Sequence, residues 1–166
     1  KRNFNADHPD QLWVSDFTYI QTHSGWVYTA FIIDVFSRAI VGWKVSTRMN
    51  TDMVLDALEQ ALHDRGMPKN VIHHSDRGVQ YLSIRYTNRL EAANLRASVG
   101  TTGDSYDNAL AETVNGLYKT EVIEYLKADW QGLADVQLAT LNWVDWFNKE
   151  RLHSALDYVS PFEFVA

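Results

Sequence analysis

Three β-forming segments stand one after another near the start of this chain, at residues 12–20, 26–34 and 38–46, joined only by short polar connections at 23–25 and 34–37. Connections that short return the chain beside itself, so the segments predict a three-stranded antiparallel meander. The hydrophobic period then changes from two to 3.6. Val54, Leu55, Leu58, Ala61 and Leu62 recur at helical spacing, which predicts a helix over 51–65 with Thr51 as its cap, Asp52 in the first turn, and Gly66 and Pro68 as its stop. Short strands are expected at 71–75 and 96–99, and helices at 82–93, 107–124 and 133–148, the last with Leu133, Val136, Thr140, Val144 and Phe147 on one stripe. Ser160, Pro161 and Glu163 carry the pattern of a short capped helix at the end, and residues 100–106 read as a loop. The order β-β-β-α-β-α-β-α-α predicts an α/β fold, a mixed five-stranded sheet with helices on both faces. Residues 10–148 would form the core, with 149–166 a tail packed on it.

Composition narrows the class. A chain of 166 residues suggests one domain with a full hydrophobic core. It contains no cysteine, which excludes disulfide frameworks and thiolate zinc sites. No apolar run approaches the ~20 residues of a membrane-spanning helix, no signal-peptide pattern opens the chain, and it begins at Lys1. The net charge of −6 is unusual for a protein that grips phosphates, which normally shows a basic face.

The chemistry concentrates in carboxylates. Asp16 lies inside the first β pattern between Trp13, Val14 and Phe17, where a charge is costly unless paired or metal-bound. Asp76 leaves the fourth β segment, in His73-His74-Ser75-Asp76-Arg77-Gly78-Val79-Gln80-Tyr81. Strand four can lie beside strand one in a sheet of this order, which would bring the two aspartates close. Glu112 follows Asp76 after 35 intervening residues, on a helix beside a loop. Three converging carboxylates repel one another, and Mg²⁺ or Mn²⁺ relieves that repulsion with hard oxygen ligands. Two such ions about 4 Å apart suit an in-line displacement at phosphorus.

Five pieces of sequence then carry a resemblance. They are Trp13-Val14-Ser15-Asp16-Phe17-Thr18-Tyr19, Asp34-Val35-Phe36-Ser37-Arg38, His74 to Tyr81, Tyr106-Asp107-Asn108-Ala109-Leu110-Ala111-Glu112, and Trp146-Phe147-Asn148-Lys149-Glu150-Arg151-Leu152-His153. In that order, and with that spacing, the chain resembles the catalytic core of DDE transposases from bacterial insertion sequences, the group most similar to retroviral integrases. The resemblance spans nearly the whole chain. It implies an RNase H-like fold and a catalytic, metal-holding triad of Asp16, Asp76 and Glu112, with two Mg²⁺ or Mn²⁺ ions when DNA is bound. It implies DNA as partner, both element ends and target, with oligomerisation on DNA, no small-molecule substrate and no membrane. It also implies a bacterial cytoplasmic, nucleoid-associated protein with a helix-turn-helix region upstream of these residues. The implied reactions are hydrolysis of a phosphodiester at the element end and attack of the freed 3′-hydroxyl on another strand.

Asn108, Glu112 and Lys119 share one helix face. Lys119 is similar to an integrase lysine that meets the DNA end, so Asn108, Lys119 and Arg77 are candidate DNA contacts. Gly116 departs from the lysine that integrases often carry at that position. Several residues have two readings. Asp34 is a fourth carboxylate or a turn cap. Arg77 and Gln80 brace their loop or touch DNA. The two rings of His73 and His74 point to opposite faces of a strand, with one packing inward. The helix around Trp143 and Trp146 is a core layer or a partner surface. Asn148, Arg151 and His153 brace the last helix or line the DNA channel. Two other functions share these features: an RNase H-type nuclease that only hydrolyses, and a catalytically silent DNA-binding or assembly module.

Overall fold

The computed structural model describes residues 6–75, 88–89, 91–93, 96–99, 109–124 and 129–151, with the backbone alone at 51, 74, 75 and 96–99. Five strands form one sheet in the order β3-β2-β1-β4-β5. They are β1 (Leu12–Thr22), β2 (Gly25–Asp34), β3 (Ile40–Ser46), β4 (Ile72–Ser75) and β5 (Arg96–Val99). The meander is present as expected: β1 pairs antiparallel with β2, and β2 with β3. The crossovers then deliver β4 parallel to β1 and β5 parallel to β4.

Helices cover both faces. On one lies α1 (Thr51–Asp64), whose Val54, Ala57, Leu58, Ala61 and Leu62 pack with Trp13, Ile32 and Val41. Its approach to β3 is close: a Cβ on Gly42 would stand 2.4 Å from the carbonyl oxygen of Ala57. On the other face, α2 (Ala109–Tyr118) and α3 (Leu133–Lys149) bury Ala111, Val114, Tyr118, Val136, Trp143, Val144 and Phe147 against Leu12, Val14, Ile20, Phe31 and Ile33. The even-numbered residues of β1 face α2 and α3, and the odd-numbered ones face α1, because successive strand side chains alternate.

Several boundaries depart from expectation for local reasons. Asn50, not Thr51, caps α1: its backbone is extended and its Oδ1 accepts from the Met53 amide at 3.2 Å. Two capping residues stand side by side there, and only the backbone angle chooses between them. At the other end Gly66 adopts φ +75°, its amide donates to His63 and the Met67 amide to Leu62, which closes the last carbonyls. β3 begins at Ile40 rather than 38, since Arg38 sits at φ +69° and leaves the extended region. The expected helix over 107–124 is α only as far as Tyr118; Lys119–Glu124 is a π-helix, wound wider where Glu121 is drawn to α3 while Val122 enters the core. Of the helix expected at 82–93, residues 88–89 and 91–92 are helical and most of the rest lie outside the described residues, as do the loop at 100–106 and the tail from 152 to 166.

Candidate active site

Asp16 is half-buried in the middle of β1, and its Oδ1 accepts from the Phe17 amide at 2.9 Å. By the alternation of β1 it belongs to the face shared with Leu12, Val14 and Ile20, the face on which α2 lies. Across the sheet it stands opposite Phe31. The Phe31 ring meets Tyr118 of α2 edge-on, with centroids 5.0 Å apart, and Trp143 of α3 at 5.8 Å. Tyr118 is fully buried, and its hydroxyl is shared with Thr29 at 3.1 Å and Thr140 at 2.7 Å. These contacts tie α2 to the sheet and to α3 in one setting.

Glu112 occupies the first turn of α2, where a carboxylate interacts favourably with the helix dipole. It is exposed and has no ion-pair partner among the described residues. Asp16 and Glu112 are thus carried by two elements packed on one another. Asp76, Arg77 and Asn108 lie outside the described residues, and no group of three metal-ligating side chains occurs among the described ones. The covalent neighbour of Asp76 is placed, however: β4 runs parallel to β1 with Ser75 opposite Ser15. Each chain therefore reaches its aspartate one residue beyond the same rung of the ladder. Lys119 is exposed, with its ammonium 5.7 Å from the centre of the Tyr19 ring, a cation–π contact.

Of the residues with two readings, Gln80, His153 and the His74 side chain lie outside the described residues, as Arg77 does, and the others resolve. Asp34 is a turn cap: buried, with Oδ2 accepting from the amide and hydroxyl of Ser37 and Oδ1 from the Asp10 amide. Burial pushes its carboxyl above the usual carboxylate range, against the lowering by those hydrogen bonds. Charging Asp34 therefore weighs against folding at neutral pH; that cost shrinks as pH falls below its folded pKa and is gone below the ordinary carboxylate value of the unfolded chain. Asp34→Ala should still lower stability, by about 2 kcal/mol in urea titrations, because it orphans three donors.

His73 is the inward ring, buried with Nε2 3.0 Å from the Ser15 hydroxyl. Asn148 braces α3, donating to the Ile40 carbonyl at 2.9 Å and accepting from its amide at 2.8 Å. Arg151 pairs with Glu121, which also accepts from the Trp143 indole, and its guanidinium stacks near Trp146 and Phe147. Trp143 belongs to the core, whereas Trp146 is exposed. One polar residue escaped sequence reasoning. Asn115, one turn after Glu112, is buried in α2 with its Oδ1 lacking a partner among the described residues. Its only signal in the sequence is the three-residue spacing from Glu112.

Residues 6–105 match the integrase core domain family, and residues 93–161 match a second integrase core domain family. The chain belongs to the integrase core domain family. Among curated proteins this integrase core is 58% identical over 162 residues to the transposase for insertion sequence element IS629 of Shigella sonnei, covering 98% of this chain and 54% of that one. It is 51% identical to the putative transposase for insertion sequence element IS986/IS6110 of Mycobacterium tuberculosis, covering 100% of this chain and 61% of the relative. It thus spans little more than half the length of these relatives. Among solved structures, the catalytic core domain of HTLV-2 integrase in complex with magnesium superposes with a TM-score of 0.76 at 18% identity, over 99% of this chain and 100% of that one. A chain of the simian T-cell lymphotropic virus intasome, in complex with PP2A regulatory subunit B56 gamma, gives 0.82 at 16% identity, over 97% and 56%. At those identities the likeness establishes the integrase, RNase H-like fold. No helix among the described residues is long and apolar enough to cross a membrane.

Proposed function

We propose that this integrase core is the catalytic part of an insertion-sequence transposase, cutting DNA at the element end and joining the freed 3′-hydroxyl to a target strand. The observation that carries the proposal is the β1–β4 pairing, Ser15 opposite Ser75, after which the amino-acid order continues to Asp16 in one strand and to Asp76 after the other. With strands about 4.8 Å apart and consecutive Cα atoms 3.8 Å apart, the two aspartate Cα atoms are within roughly 12 Å of each other whatever path residue 76 takes. Aspartate side chains bridge such a span through a shared ion. Glu112 completes the set from α2, the helix packed on the Asp16 face of β1.

The donor set is oxygen-only and anionic, which fits Mg²⁺ or Mn²⁺ and not a soft metal. Asp16, Asp76 and Glu112 would hold one or two such ions, which supply Lewis-acid polarisation of the phosphodiester and a more acidic water. Asp16 and Asp76, on paired strands, fix position. Glu112 orients the attacking oxygen and takes its proton through water. In the first reaction water attacks phosphorus and the 3′-oxygen leaves; in the second that 3′-hydroxyl attacks a new phosphorus and displaces another 3′-oxygen. No protein–DNA bond forms, so no serine or tyrosine nucleophile is required.

DNA is the partner, with Asn108, Lys119 and Arg77 as candidate DNA contacts, Lys119 to a phosphate, and more than one copy acting on paired ends. The site of action is the bacterial cytoplasm, at the nucleoid. Two divalent ions would offset four of the acidic charges behind the net −6. Even so the balance stays acidic, and the 166-residue chain should bind duplex DNA weakly and with little sequence preference. Filter binding at two salt concentrations measures this, and tight sequence-specific retention would contradict it. A strand-transfer assay with a labelled 3′-hydroxyl end tests the function itself: joined products are expected, and products of hydrolysis alone would assign a nuclease instead.

A further inference from the structure

Phe17 is the last residue of its face of β1 to pack with the α1 cluster. Beyond it the sheet leaves two large aromatic rings in the open: Tyr19 of β1 is 55% exposed and Trp26 of β2 is 49% exposed. Tyr19 stands opposite Tyr28, and Gln21 opposite Trp26, so the two rings are diagonal neighbours on one face of the β1–β2 hairpin. They meet edge to face, with centroids 5.2 Å apart and planes at 84°. The ammonium of Lys119 lies 5.7 Å from the centre of the Tyr19 ring. That lysine is exposed and pairs with no carboxylate among the described residues. The strand residues of the patch, Tyr19, Gln21, Trp26 and Tyr28, carry no charge, so the lysine sets its sign.

Flat exposed rings beside an ammonium match a nucleotide: its base stacks on a ring and its phosphate meets the cation. The place on the strand agrees. Tyr19 is three residues beyond Asp16 on β1, roughly 10 Å at ~3.4 Å per residue, which is about three bases of a stacked DNA strand. By alternation Tyr19 lies on the other side of the sheet from Asp16. Lys119 nevertheless continues α2, on the Asp16 side, and reaches the Tyr19 ring, so the two sides are within one side chain's reach there. The faces of a base inside a duplex are covered by its neighbours, so a ring can stack only on a base that has left the helix. We infer that Tyr19 and Trp26 form a stacking platform for an unpaired base of the DNA strand whose phosphodiester lies at Asp16, with Lys119 on the adjoining phosphate. The inference rests on the reading of the chain as a transposase core and adds to it two residues that hold a base. Holding that base out of the duplex keeps the strand end open beside the site, where its 3′-hydroxyl must be free to attack.

The test compares two short fluorescein-labelled DNA strands of equal length, oligothymidine and a wholly abasic strand, binding to the 166-residue chain at low salt without metal, followed by fluorescence anisotropy. Wild type should hold oligothymidine the more tightly. Trp26→Ala should raise the dissociation constant for oligothymidine about 10-fold, the scale of one lost base–aromatic stack, and leave that for the abasic strand unchanged. Tyr19→Ala should do the same, and Trp26→Phe, which keeps a ring, should recover most of the affinity. Lys119→Ala should weaken both strands alike, since both carry phosphates. A cross-strand aromatic pair also stabilises a hairpin; a pair with that role alone would lower the melting temperature of Trp26→Ala and leave the ratio of the two affinities at its wild-type value. An unchanged ratio, or a wild-type chain that does not distinguish the two strands, overturns the platform and leaves the rings for a protein partner. Strand-transfer products from that same chain would show that the transposase reading stands without it. A ratio that depends on Trp26, with no joined products, supports base binding and overturns the reading on which its catalytic placement rests.

Discussion

Asp16→Asn should abolish both DNA cleavage and strand transfer, by on the order of 10³-fold or more, while leaving the fold in place. The size follows from what a carboxylate does at a divalent ion: it supplies a full negative charge that an amide oxygen lacks, and each ~1.4 kcal/mol lost from the transition state costs tenfold in rate. The intact fold follows from geometry. The Phe17 amide donates to Oδ1 of Asp16, and the oxygen of an asparagine accepts that bond equally well. Removing one charge from the proposed cluster of three would also relieve repulsion in the metal-free protein, so its melting temperature should be unchanged or slightly higher. Asp76→Asn and Glu112→Gln should behave in the same way. The measurements are cleavage of a labelled element end, joining of a labelled 3′-hydroxyl end, and thermal melting by circular dichroism. A Glu112→Gln variant that cuts and joins like wild type would remove Glu112 from the catalytic set.

Phe31→Ala should be the most damaging single truncation in the body of the protein. Phe31 is fully buried, stands opposite Asp16, and packs edge-on against Tyr118 and Trp143. It therefore touches β1 by pairing and α2 and α3 by ring contact. Deleting a buried phenyl ring costs roughly 3–5 kcal/mol, which lowers the melting temperature by about 6–20 °C in a domain of this size. The loss should be felt first in α2, whose amides would exchange with solvent faster than those of α1, because α1 packs on the opposite face. Phe31→Leu should recover more than half of the stability. Equal loss of protection in α1 and α2 would show that the two faces do not unfold separately.

The contrast between Asp34 and Asp16 shows how much of the site was legible in the amino-acid order. Both are acidic residues among apolar neighbours. Asp34 precedes a turn with Ser37 three residues on, a local pattern whose hydrogen bonds are completed within the same stretch of chain. Asp16 sits in mid-strand, where the next residue's amide meets one of its oxygens but no turn pattern accounts for a carboxylate among apolar neighbours. The meander and the period change at residue 51 were equally legible, because alternation and helical spacing are properties of consecutive residues. Boundaries were less so. Asn50 and Thr51 are both good caps, and nothing in the order of residues decides which adopts the extended backbone. The π-turn at Lys119–Glu124 depends on Glu121 meeting Trp143, 22 residues away.

By itself, then, the amino-acid order determined the element types, the two-faced sheet and which acidic residues are out of place, since each rests on short-range periodicity or on the cost of burying charge. Only the tertiary structure decided that β4 lies parallel to β1 with Ser75 opposite Ser15, that α2 covers the Asp16 face, and that Asn115 is buried with an oxygen left over. Those depend on register between strands and on which side of a helix meets the sheet. Both are settled by the packing of the whole core at once, through contacts such as Phe31 with Tyr118 whose partners lie far apart along the chain.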